Sequence, residues 1–155
     1  TYHMVRVKDK ALEIFRKIDH SAIFVLIAGT YTPFCVNAFE VFWKWGMLSI
    51  IWSLALIGIL VKIFYIGAPR WLNAAIYVIM GWFSVVAAGQ MLATLPVWVF
   101  TWLIIGGVIY TLGAIVYATK IFNFKPGVFG FHEVWHIFVL LAAAAHYVAV
   151  LGLAL

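Results

Sequence analysis

Two histidines one helical turn apart, in the run His132-Glu133-Val134-Trp135-His136, form the most chemically loaded stretch of this chain. The run reads H-E-x-x-H, a pattern in which paired imidazoles hold zinc and the glutamate serves as base. On a helix, residues four apart are separated by about 40° and ~6 Å, which suits chelation of one ion. Zinc is the first choice for imidazoles joined by a carboxylate or water, with iron, manganese or cobalt admitted by geometry. The alternative is two interface histidines bonded to neighbouring backbone. Glu133 points ~100° from His132. A base role is open to it, and so is a first-turn position favoured by the helix dipole. No Asp or Glu follows Glu133, so a metalloprotease's third carboxylate ligand is missing downstream.

The elements that must position these residues are membrane spans. Of 155 residues, 67% are hydrophobic and 10% charged, with a mean hydropathy of +1.12. A soluble domain of this size has too little interior to bury so much apolar surface. Five apolar stretches, about 20–39, 45–66, 71–93, 97–119 and 129–155, each approach or exceed the ~20 residues a crossing helix needs. Strand-like alternation is lacking, which argues against a barrel. The expected fold is all-α, a polytopic transmembrane helical bundle forming a single domain over 1–155. Residues 4–18 pattern as a short amphipathic helix at the membrane surface, with Val7, Leu12, Phe15 and Ile18 facing it. Pro33 predicts a kink near Thr32.

The net charge of +5 has a topological explanation. If five helices alternate, Arg6, Lys8, Lys10, Arg16, Lys17, Lys62, Arg70, Lys120 and Lys125 share one side, and Lys44 stands alone on the other. The positive-inside rule makes the first side cytoplasmic and the C-terminus extracytoplasmic. No nucleic-acid partner is needed. Cys35 is the lone cysteine and reads as an apolar filler. The chain starts on Thr1 without a methionine, and the expectation is a fragment lacking earlier spans.

Ionisable residues in apolar segments are functional candidates by default. The starts of the first and last spans fall on the same side, so His3, Asp19, His132 and His136 converge at one depth. Asp19 can cap its span, and beside a metal-activated water it can accept a proton as general base. His20 is expected to face the interface. His146 lies ten residues beyond His136, ~15 Å deeper, too far to share the ion and placed to line a cavity or bond across helices.

The stretches "FRKIDHSAIFVLIAGTYTPF" (15–34) and "FHEVWHIFVLLAAAAHYVAV" (131–150) closely resemble the two signature regions of the hemolysin III family, which belongs with the progestin and adiponectin receptors. The resemblance implies a seven-helix fold of which this chain holds the last five spans. It implies zinc held by three histidines, His3, His132 and His136, and an aspartate, Asp19, holding the water bound to zinc. The serine of the first motif would fall before Thr1. The adiponectin receptors carry an uncharged residue at the position of Glu133, so the resemblance gives that carboxylate no catalytic role. They carry a histidine, outside their zinc site, at the position of His146. The implied activity is metal-dependent hydrolysis of a lipid amide or ester, with membrane lipid as both environment and substrate, in the bacterial inner membrane. Two other classes are a cytolytic, pore-forming protein and a ligand-sensing receptor with structural zinc.

Overall fold

In lipid every backbone polar group must be satisfied within its own segment, and a chain this apolar answers with helices. The structure is a computed structural model that describes residues 9–64, 69–122, 124 and 129–153. Helix α1 spans Asp9–Ala38, α2 Val41–Phe64, α3 Arg70–Trp82, α4 Ala88–Thr94, α5 Val97–Thr119 and α6 Phe131–Leu151. A 3₁₀ segment, Phe83–Ala87, joins α3 to α4, so these three together make one span. Among the described residues, five spans are long and apolar enough to cross a membrane. Large apolar side chains midway along them face outward, as with Ile79 (70% exposed) and Leu140 (69%), a distribution stable only against hydrocarbon.

The surface helix expected over 4–18 is not separate. Its described part, from Asp9, runs unbroken into the first span. Asp19 therefore lies well inside α1, which rules out the capping role and leaves its carboxylate for other partners. The helix also continues through Pro33 to Ala38.

Helices α5 and α6 pack along each other more extensively than any other pair. Gly106 and Gly113, two turns apart, make this possible. A Cβ on Gly113 would stand 2.7 Å from the Cβ of Phe138, and one on Gly106 would enter the His146 imidazole. Small residues at such crossings let membrane helices approach closely. Indole N–H groups bond across other crossings: Trp52 Nε1 donates to Thr32 Oγ1 (3.2 Å) between α2 and α1, and Trp82 Nε1 to Thr111 Oγ1 (2.9 Å) between α3 and α5.

The third apolar stretch reads as one continuous helix, yet the structure breaks it. Tyr31 of α1 inserts its hydroxyl into the ladder there. It donates to the carbonyls of Gly81 (2.6 Å) and Met80 (3.0 Å) and accepts from the Ser84 N–H (2.8 Å). Such insertion is a recognised cause of broken helical regularity. Because the intruding group comes from another span, hydropathy along the stretch itself carries no trace of it.

Candidate metal centre

His132 and His136 occupy the first two turns of α6, which puts both imidazoles on one face. Their Nε2 atoms lie 3.1 Å apart. From α1, Asp19 Oδ2 reaches within 3.6 Å of His132 Nε2, and Oδ1 within 3.7 Å of His136 Nε2. One ligand atom from each of the three lies within 4.8 Å of the others, and all three side chains are half-buried. Asp19 Oδ2 is shielded and, among the described residues, lacks a hydrogen-bond partner. A shielded carboxylate oxygen beside two imidazole nitrogens is a donor set able to hold a cation. The structure thus brings together three of the four residues singled out by type and depth. The fourth, His3, lies outside the described residues.

The residues beside the cluster make contacts of their own. Glu133 Oε2 accepts the Gly130 N–H (2.8 Å), closing the first turn of α6 as an N3 carboxylate does. His20, expected at the interface, instead lies against the cluster. Its Nδ1 is 2.9 Å from the Arg16 carbonyl and its Nε2 3.2 Å from the Tyr117 hydroxyl. Tyr117, buried at the end of α5, packs its ring on Trp135 (centroids 4.6 Å apart) and at 5.9 Å from His132. Tyr77 of α3 donates its hydroxyl to the His20 carbonyl (3.1 Å). Together they wall the cluster on the side facing α3 and α5.

Sequence reasoning missed this wall, because a tyrosine near the end of an apolar stretch reads as an interface anchor. It also placed Lys62 among the loop charges. The structure puts Lys62 in the last turn of α2, 5% exposed, with its ammonium donating to Asn73 Oδ1. The pairing bridges α2 and α3 on the side of the bundle that carries the cluster.

The sequence pattern described as haemolysin-III related matches residues 1–147. This chain belongs to the haemolysin III-related family. Among curated relatives, the hemolysin-3 homolog of Bacillus subtilis (strain 168) is 41% identical over 142 residues, covering 92% of this chain and 64% of that protein. The hemolysin-3 of Bacillus cereus is 38% identical over 142 residues, covering 92% and 62%. The adiponectin receptor protein of Drosophila melanogaster is 28% identical over 159 residues, covering 86% of this chain and 34% of that one. The chain thus spans under two thirds of the length of each bacterial relative. Family and helices together make it an integral membrane protein.

Proposed function

We propose that this haemolysin III-related chain carries a zinc site near the cytoplasmic face and hydrolyses an amide or ester bond of a membrane lipid. The observation that supports it most is the convergence of Asp19, His132 and His136 from two distant segments. Two ligands on a tetrahedral zinc with bonds of 2.0–2.1 Å stand about 3.3 Å apart. The His132 and His136 nitrogens, 3.1 Å apart, already hold nearly that spacing. The imidazoles of His3, His132 and His136 are the proposed ligands, an all-nitrogen set that leaves one position open.

When bound, zinc supplies a Lewis acid that acidifies water and polarises a carbonyl. The chain's own residues do the rest. Asp19 accepts a proton from the attacking water as its oxygen bonds to the carbonyl carbon. It returns that proton to the nitrogen or oxygen that departs. Tyr117 and Trp135 confine the reacting groups. The cavity beside them, with about 1260 Å³ of empty space, part of it open to the outside, takes the apolar chains. The charge distribution supports the orientation, with nine basic residues on the cluster's side and the C-terminus opposite, in a bacterial inner membrane.

The test is metal analysis of purified full-length protein, with turnover measured on ceramide and ester lipids. Stoichiometric zinc that disappears in His132→Ala is expected. A metal-free wild type would sink the reading. The two bacterial relatives are named as a hemolysin homolog and a hemolysin. Leakage of liposomes that persists in His132→Ala would favour a cytolytic role over hydrolysis.

A further inference from the structure

Deeper in the bundle lies a second polar pair that the metal chemistry does not use. His146 of α6 sits ten residues past His136, about 15 Å along the helix axis. Its Nε2 is 3.2 Å from the carbonyl oxygen of Leu103 on α5. A carbonyl only accepts, so Nε2 carries the proton and Nδ1 presents a lone pair. That Nδ1 is buried with no hydrogen-bond partner among the described residues, and the hydroxyl of Tyr110 on α5 is in the same condition. The two rings are neighbours, with centroids 5.6 Å apart, and both line the cavity that runs from Tyr117 and Trp135 past Tyr31 towards Phe39 and Met91. Gly106 is what admits the imidazole to this place, since any Cβ there would occupy it.

One buried atom with no partner is a cost the fold tolerates. Two of them, side by side in a cavity and of complementary kind, describe what they recognise. His146 Nδ1 can only accept, whereas the Tyr110 hydroxyl can donate. A hydroxyl group satisfies both at once, giving its proton to Nδ1 and taking one from Tyr110. The rest of the wall is mostly apolar, with Ile27, Phe34, Val78, Leu103 and Val139, and the hydroxyls of Thr30, Tyr31, Ser84 and Thr111 already donate to backbone carbonyls.

We propose that Tyr110 and His146 form a subsite for a hydroxyl carried part-way along a lipid chain, so that the preferred ligand is an amphiphile with a mid-chain hydroxyl rather than a plain acyl chain. The placement of that ligand's head group rests on the proposed metal site, whereas recognition of the hydroxyl does not. A neutral hydrogen bond of this kind gives the hydroxylated chain an advantage of about tenfold in affinity.

The experiment measures binding of a stearic acid hydroxylated near its middle, and of stearic acid itself, to full-length protein in lipid nanodiscs. Wild type is expected to favour the hydroxylated acid about tenfold. Tyr110→Phe and His146→Leu are each expected to bring the ratio close to one while stearic acid binds as before. Tyr110→Phe removes a single oxygen, so it carries the test if His146→Leu disturbs the fold. His136→Ala, which removes a proposed metal ligand, is expected to keep the preference, so failure of the metal site and failure of the subsite give different results. Equal affinities in wild type overturn the proposal, as they would if a water alone bridged the pair. A preference that survives both substitutions overturns it too.

Discussion

At the near end of α6, Asp19, His132 and His136 meet one another with His20, Tyr117 and Tyr77 closed around them. About 15 Å further along the same helix, His146 and, beside it on α5, Tyr110 each keep one buried atom with no hydrogen-bond partner among the described residues. Both groups use the same residue types in the same apolar bundle. They differ in whether the protein's own atoms complete the chemistry. At the near end two imidazole nitrogens and a carboxylate oxygen converge on one point, the arrangement of a site for a cation. At the far end an acceptor and a donor stand side by side without converging, the arrangement of a site for a group that is both.

Substitution at the near end should have the largest effects. His132→Ala or His136→Ala is expected to weaken metal affinity by more than about 100-fold, beyond what loss of an outer hydrogen bond does, and metal content after dialysis reads this directly. Asp19→Asn separates holding from catalysis. It keeps an oxygen facing the imidazoles but cannot accept the proton, so metal should stay while hydrolysis falls by about 10²- to 10⁴-fold. If Asp19→Asn lost the metal as completely as His132→Ala, the carboxylate would be a ligand rather than a base.

Next in size are changes to the scaffold that keeps the two regions at their separate depths. Gly113→Leu would drive a side chain into Phe138 and Trp135, and overpacking of this kind costs about 1–3 kcal/mol. Tyr31→Phe leaves the Ser84 N–H without its partner in an apolar span and the Gly81 carbonyl with only the longer bond from the Ser84 hydroxyl, a loss of about 1–3 kcal/mol. Thermal denaturation of purified protein in detergent measures both. A Tyr31→Phe variant as stable as wild type would mean that the broken helix closes its own ladder once the hydroxyl is gone.

The near end was legible in the sequence and the far end only half so, for a physical reason. Two imidazoles at i and i+4 on one helix write themselves into the sequence as His132 and His136. Alternation of spans then brings Asp19 to the same depth without any knowledge of packing. Spans were legible because hydropathy is local. Tyr117, the Lys62–Asn73 pair and the Tyr31 insertion were not, since each depends on which face of one helix meets another. Of the two places open to His146, lining a cavity or bonding across helices, it takes both, but its pairing with Tyr110 needed the α5–α6 crossing that Gly106 permits.

The smallest effect belongs to the residue that made the run resemble a protease motif. Glu133 Oε2 accepts from the Gly130 N–H at the start of α6, and glutamine can accept the same bond. Glu133→Gln keeps that acceptor and removes the charge, whose interaction with the helix dipole accounts for about 0.3–1 kcal/mol. Metal content should be unchanged, and any hydrolytic rate should stay within a few-fold of wild type. A general base behaves otherwise, since removing its charge costs about 10²-fold or more. Paired with Asp19→Asn, this substitution decides which of two carboxylates takes the proton. A collapse of rate in Glu133→Gln with full activity in Asp19→Asn would reverse the assignment and restore the protease-like reading of the run.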